Sequence, residues 1–447
     1  MTPVRATASS HACGPTRPRR AAPGALAAAL VAVFAAPAWA QRTPDALAAA
    51  ADGTTPAHTA AAATDSAARR ADTARRRLPH WLALNGYATQ AGAISRGGTM
   101  YGIASRGTVD YGRLAVLARI TPTPANRFVV QIANRRMAAS PSDAYQPDVK
   151  VDWLFYEHEF GDGTRVRAGR VPLPFGIYNE TRYVGTLLPF YQAPASVYRE
   201  KEFSTEASDG VQLAREFALP AGYAVEVMGY GGRFDYVEVS PLPWFPPGTP
   251  GAPAGGPAAP PANGWYYGSA PARARASVGT QLWVTTPVPG LRAGVGALQT
   301  QLSGGIYRPS GRTDRARLAT ASIDGSLERV TIRAEGLFAR LGSDIRATGR
   351  YVQLGARVAG PLAVYVQVDE SRMRLNNLVA PPTYVPQDLS LVQNRDHAAS
   401  AVWAFRPGLH LRGEYHRTLG YNADEAVPLT GPARRGQYAI VTVSAAF

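Results

Sequence analysis

The chain carries a single cysteine, Cys13, and only two lysines, Lys150 and Lys201, in 447 residues. Cys13 precedes an apolar N-terminal stretch that reads as an export segment, so the exported chain has no thiol. That excludes a disulfide framework, cysteine-ligated zinc and thiol catalysis. No stretch after Gln41 approaches the roughly 20 apolar residues of a spanning helix. Enzyme signatures are missing as well: there is no G-x-S-x-G, H-E-x-x-H or Walker loop, and Gly294-Val295-Gly296 lacks the third glycine of a dinucleotide fingerprint. Two groupings bring histidine and carboxylates together, Glu157-His158-Glu159 and His410, Glu414 and His416. A polar wall explains both better than a zinc or general-base site. No catalytic residue, cofactor or metal is expected.

What is abundant points to strands. The sequence holds 44 Gly, 37 Pro and 21 Tyr, and 46% of it is apolar against 18% charged. This is too apolar and aromatic for a disordered chain and lacks the Ala/Glu/Lys/Leu bias of a helical bundle. Arg17, Arg19 and Arg20, the apolar run from Ala21 to Ala36, and Ala38-Trp39-Ala40 make residues 1–40 a signal peptide. Residues 41–79 are rich in Ala, Thr, Asp and Arg and cannot bury a core, which reads as a flexible periplasmic leader. Loss of Arg5, Arg17, Arg19 and Arg20 takes the formal charge from +15 to +11. The arginines are scattered singly along strand-like segments, so nucleic acid is not expected as a partner; anionic solutes and lipopolysaccharide phosphates are.

From Trp81 onward the pattern has a period of two. Leu362, Val364, Val366 and Val368 alternate with Ala363, Tyr365, Gln367 and Asp369, which turns one face to an apolar medium and the other to a wet one. About sixteen such segments follow one another, and their connections are read as alternating strictly between short and long. An all-β fold follows: a transmembrane antiparallel barrel of about 16 strands over residues 80–447, with short periplasmic turns and long outer loops. Its place is the bacterial outer membrane. Trp81, Phe160, Phe217, Trp283, Tyr351 and Trp403 suit interfacial girdles. The Pro/Gly-rich stretch 241–261 reads as a solvated spacer outside strand or helix.

Two segments carry a resemblance. The ending Tyr438 to Phe447, with Val443, Val441 and Ala439 at alternate positions, resembles the closing strand by which outer-membrane barrels are recognised, although Ala445 replaces a frequent aromatic. That implies the barrel-assembly machinery as a partner through Phe447. The run Ala168-Gly169-Arg170-Val171-Pro172-Leu173-Pro174-Phe175-Gly176-Ile177-Tyr178-Asn179-Glu180 is similar to a motif of Gram-negative porins, including phosphate-selective ones. The resemblance implies that the third outer loop, 172–207, folds inward, that small hydrophilic solutes diffuse passively, and that the barrel assembles as a homotrimer.

The expected pore-lining or constriction residues are Arg113, Arg165, Arg167, Arg170, Glu180, Arg182, Arg199, Glu200, Arg333, Arg357 and Arg412. Alternation puts Arg119, Arg127 and Arg292 on the wet wall too, with fewer acids, among them Glu226, Glu335, Asp369 and Glu414. A basic wall facing a mildly acidic loop gives a transverse field, and the arginine surplus favours anions. Tyr178, Tyr183, Tyr191 and Tyr198 are expected to pack the loop against the wall rather than to stack sugars. The competing reading is a surface or adhesive barrel without an open pore.

Overall fold

The computed structural model describes residues 79–447 except 139, 141–148, 199–205, 247–248, 250–256, 262–263, 307–312, 379–386, 422–428 and 430. The signal segment, the leader up to residue 78, Cys13, Arg199 and Glu200 lie outside the described residues. Sixteen strands follow in order: β1 (Leu82–Arg96), β2 (Thr108–Thr123), β3 (Asn126–Met137), β4 (Lys150–Glu159), β5 (Arg165–Pro172), β6 (Ala207–Ala218), β7 (Ala224–Pro243), β8 (Trp265–Thr285), β9 (Leu291–Gly304), β10 (Thr313–Leu327), β11 (Val330–Leu341), β12 (Ile345–Ala359), β13 (Leu362–Leu378), β14 (Gln387–Arg406), β15 (Leu409–Gly420) and β16 (Arg434–Ala446). One short helix, α1 (Ala195–Tyr198), lies between β5 and β6.

Each strand pairs antiparallel with its sequence neighbours, and β1 pairs with β16 from Tyr87↔Ala446 to Arg96↔Gln437, closing the sheet. Closure leaves no open edge, which is what a sheet in hydrocarbon requires. Phe447 completes the seam. Its amide and carbonyl exchange hydrogen bonds with Gly86 (3.0 and 2.8 Å), and its ring fills the space a side chain at 86 would need.

The alternation read from the sequence is the inside–outside alternation of the wall. On β13, Val364, Val366 and Val368 are exposed on the outer surface while Gln367, Asp369 and Ser371 are buried within. Burial thus runs opposite to a soluble protein: the apolar face meets lipid and the polar face packs inside. Trp81, Phe160, Phe217 and Trp403 are exposed at the short-turn ends of their strands, as a girdle needs. Trp283 and Tyr351 do not join them. Both are buried in the lumen, on the strand face opposite to lipid, Tyr351 having the same parity as Arg357.

Two expectations about connections need correcting. The outer link between β11 and β12 is only residues 342–344, as short as the periplasmic turns, so long and short connections do not alternate strictly. The Pro-rich stretch also begins as strand: Pro241, Leu242 and Pro243 pair with Tyr267, Tyr266 and Trp265. Above the other strand tops β7 and β8 form a two-stranded ribbon, where every second N–H points away from the partner. Proline, which has none, is tolerated at such positions.

Candidate functional site: the segment that crosses the lumen

Between β5 and β6, the described residues 173–198 and 206 do not project outward. Polar groups of β2 and β8 and of β11 to β15 bond to them, so the segment reaches strands half the ring away from its own ends. An irregular backbone inside a barrel must have its N–H and C=O groups paired. On β15, Arg412 donates through Nη1 to the carbonyls of Gly185 (3.1 Å) and Leu188 (2.9 Å), and the Glu414 carboxylate accepts from the Tyr191 N–H (2.7 Å). His416 steadies that carboxylate, lying 3.5 Å from Glu414 and 2.7 Å from Asp396. On β14 the Ser400 hydroxyl donates to Pro189 O (2.7 Å), and on β13 Asp369 accepts the Ser196 N–H (3.2 Å).

The motif segment is fixed by a buried phenol. Tyr198 accepts hydrogen bonds from the N–H groups of Ile177 (2.5 Å) and Tyr178 (2.9 Å) and donates to Glu335 on β11 (2.5 Å). Tyr351 (3.0 Å) and Ser322 (2.8 Å) also donate to Glu335, so one carboxylate collects three hydroxyls. Gly176 makes this approach possible. Its φ is +62°, and a Cβ there would lie 2.2 Å from both the Glu335 carboxylate and the Tyr198 hydroxyl. Gly349 on β12 serves α1 in the same way, since a Cβ would meet Ser196 O at 2.0 Å. The four tyrosines pack the segment: Tyr178, Tyr183, Tyr191 and Tyr198 are all buried. Burial raises the Tyr178 phenol to about 12, against the lowering effect of the Arg333 guanidinium.

The C-terminal end of the segment is tied to its middle and to β3 and β4 at Glu206. Arg135 (2.5 Å), Arg182 (3.1 Å) and Lys150 (3.3 Å) surround its carboxylate, and the Tyr183 hydroxyl donates to it. Burial works to raise this carboxyl, but Arg135, Lys150, Arg182 and the Tyr183 bond together hold it well below the ordinary 4.5. A depressed carboxyl stabilises the fold fully above its unfolded value and stops doing so as pH falls through the folded one. Channel noise in planar bilayers is therefore expected to stay constant from pH 8 to pH 5 and to rise only below about pH 4. A rise already at pH 6 would exclude Glu206 as the tie.

The expected pore-lining residues separate into three groups. Arg113, Arg167, Arg182 and Arg412 are buried and committed. Arg113 donates to Tyr191 O (2.6 Å) and lies 4.0 Å from that residue's ring centre, Arg167 pairs with Glu157 (2.5 Å), and Arg182 belongs to the Glu206 cluster. These guanidiniums hold the crossing segment and wall instead of facing solute, because irregular carbonyls need donors and buried acids need counter-ions. Arg170 departs from the expectation outright. It is on the outer face of β5, opposite in parity to Arg165 and Arg167, and pairs there with Asp209 (3.1 Å).

Arg165, Glu180, Arg333 and Arg357 line cavities below the crossing segment. One cavity of about 780 Å³ lies between residues 174–180 and the short-turn ends of the wall, with Arg119, Arg127, Arg165 and Arg292 balanced by Glu159, Glu180, Glu216 and Glu226. The second, of about 330 Å³, lies between residues 186–189 and the β10–β11 turn, where Arg329, Arg333 and Arg357 outnumber Glu328. Arg333 bonds to Asp324 (2.9 Å) and to the Tyr178 hydroxyl (2.9 Å), whereas Arg357 has no ion-pair partner among the described residues. Glu157-His158-Glu159 does not converge: the two glutamates turn inward to Arg127, while His158 turns outward to Asn126 (2.9 Å).

Sequence alternation identified Glu335, Asp369 and Glu414 as wall acids but gave no sign that they hold the segment. Their partners are backbone N–H groups and tyrosines more than a hundred residues away.

A closed antiparallel barrel of sixteen strands with an apolar outer surface is the architecture of transmembrane barrels of the bacterial outer membrane. The fold is shared with a solved structure. OmpF of Salmonella typhi, in complex with daunomycin, superposes with a TM-score of 0.51 at 12% identity, over 82% of this chain and 97% of that one. The high-pH structure of OprB of Pseudomonas putida gives 0.48 at 11% identity over 86% and 97%, and the outer-membrane channel DcaP of Acinetobacter baumannii 0.49 at 8% over 82% and 97%. No protein-family model matches the chain, and no curated protein matches it in sequence.

Proposed function

We propose that this protein is an outer-membrane porin, a passive channel for small hydrophilic solutes, narrowed by the segment 173–206 and leaning toward anions. The observation that carries the reading is the crossing segment, which is held by buried hydrogen bonds to the far wall and so divides the lumen without filling the space beneath it. Support for anion preference is narrower than composition suggests. Most lumen arginines are matched by carboxylates, and the unmatched charge gathers in the smaller cavity around Arg329 and Arg357, where both ring nitrogens of the buried His410 also lack partners. Guanidiniums in such a setting suit carboxylate or phosphate. The likeness of residues 168–180 to phosphate-selective porins supports the same class. Assembly as a homotrimer, and recognition of Phe447 by the assembly machinery, belong to this proposal.

Reversal potentials across a KCl gradient test it. Chloride preference is the expected result, and Arg357→Glu should move the potential toward the potassium side, with Arg170→Glu as a control that leaves it unchanged. A barrel without steady conductance would instead support the surface-protein reading.

A further inference from the structure

The arginines that the lumen does not use are concentrated on the outside. Strand register sets four of them directly side by side: Arg317 opposite Arg340, Arg340 opposite Arg346, and Arg346 opposite Arg374, on β10, β11, β12 and β13. All four are exposed and face away from the lumen. Like charges at directly opposed sheet positions repel. The row spans roughly 14 Å, three inter-strand steps of about 4.8 Å. Its compensation inside the molecule is thin. Arg317 reaches Gln299 (3.2 Å), Arg340 reaches Gly342 O (3.4 Å), Arg374 pairs with Asp388 (3.2 Å), and Arg346 has no polar partner among the described residues.

Just below the row, Arg350 (3.1 Å), Arg372 (2.9 Å) and Arg395 (2.7 Å) crowd around one carboxylate, Glu370. Counting Asp344 in the turn, seven arginines meet three acids, a surplus of four positive charges. The level of the patch in the membrane is fixed by its neighbours. Immediately beneath, the same outward face becomes Ile323, Ala334, Val352 and Val368 in successive register, which is the lipid-facing belt. Above it the wall ends at the short link 342–344. The patch therefore sits at the headgroup level of the outer leaflet, where guanidiniums can meet phosphate while their stems stay on apolar wall.

We infer that this face of β10 to β14 is a binding surface for the phosphate groups of outer-leaflet glycolipid, that is, for phosphorylated lipopolysaccharide. A planar guanidinium fork matches phosphate oxygens, and a lipid carrying several phosphates offers anions along a surface, as the row requires. A second copy of this face would set arginine against arginine, so the patch does not suit a two-fold contact.

The test uses the full barrel, purified and folded in detergent, with purified lipopolysaccharide as the probe and the same material after removal of its phosphates as the comparison. Native mass spectrometry reads the bound lipid. The variant R317Q/R340Q/R346Q/R374Q should keep less than a tenth of the bound lipopolysaccharide, the four-lysine variant should keep most of it, and dephosphorylated material should bind like the glutamine variant. Heat-modifiability on a gel confirms that each variant folds; if the fourfold glutamine variant does not, R340Q/R346Q takes its place with the same expectation at smaller amplitude. Conductance should not change, because the row is outside the lumen. Undiminished binding by the glutamine variant, equal binding of dephosphorylated lipid, displacement by millimolar inorganic phosphate, or cross-links from the row to a second chain would each overturn the inference.

Discussion

Replacement of Arg412 by alanine is expected to release the crossing segment and raise single-channel conductance. The guanidinium is almost fully buried and supplies donors to the carbonyls of Gly185 and Leu188, with the Glu414 carboxylate 3.4 Å from its Nε. Removing it leaves two irregular carbonyls without their donor and takes from a buried acid one of its two cationic neighbours, the other being His416, a loss of about 3–5 kcal/mol for a broken buried pair. Because each 1.4 kcal/mol is tenfold in an equilibrium, docking of the segment should weaken by about two to four orders of magnitude. The wall itself should persist, since its ladder of backbone bonds to β14 and β16 does not use this side chain. Planar-bilayer recording and liposome swelling with oligosaccharides give the readout. A variant with wild-type conductance and size limit would show that the segment is held without Arg412. Lysine at 412 should restore only part of the effect, because an ammonium keeps the charge but not the planar set of donors.

The second large effect is expected at Glu206→Gln. The substitution keeps the shape and deletes the charge that Arg135, Arg182 and Lys150 share. Asp152 remains, 2.5 Å from Arg135, and cannot reach all three cations equally. Leaving buried cations without a counter-charge is again of the order of 3–5 kcal/mol, so the urea midpoint for unfolding from lipid should fall clearly. Selectivity should change along with stability. Removing one negative charge beside three cations makes the lumen more basic, and the reversal potential should move toward anions. A double-mutant cycle with Arg182→Gln separates the pair from the rest: if Arg182 mainly answers Glu206, the two losses will not add. Additive losses would assign Arg182 to its other partners, Asn179 and the Tyr183 hydroxyl.

Much of the wall was legible in the residues. Val364, Val366 and Val368 against Gln367 and Asp369 have one physical cause, a side-chain period of two between lipid and a polar interior, and this gave strand number, face assignment and the place of Arg357, Arg333 and Arg165. The structure puts Tyr351 in the lumen, at the parity of Arg357, against its reading as a girdle residue. Local alternation failed where it carries no information. Arg170 was attached to the pore because it stands in the motif, yet its parity sends it outward to Asp209. Arg113 and Arg412 were expected to line the pore, and in the structure they bind carbonyls of the crossing segment; a one-dimensional pattern cannot tell a guanidinium that meets solute from one that binds a loop carbonyl.

The sequence by itself determined the class of fold, the inner and outer faces of the strands, and which segment lies between β5 and β6, because these depend on local periodicity and on what a membrane demands of a backbone. Only the tertiary structure decided where charge is free. Pairing across the lumen, as in Tyr198 with Glu335 or Arg412 with Leu188, joins residues more than a hundred positions apart, while carboxylates on nearby strands pair with wall arginines such as Arg127, Arg165, Arg167, Arg292 and Arg333. Register between strands decided the rest, lining up Arg317, Arg340, Arg346 and Arg374 on the outer surface. Positive charge that the sequence alone assigned to the pore is, on β10 to β13, lined up and exposed on the outer wall.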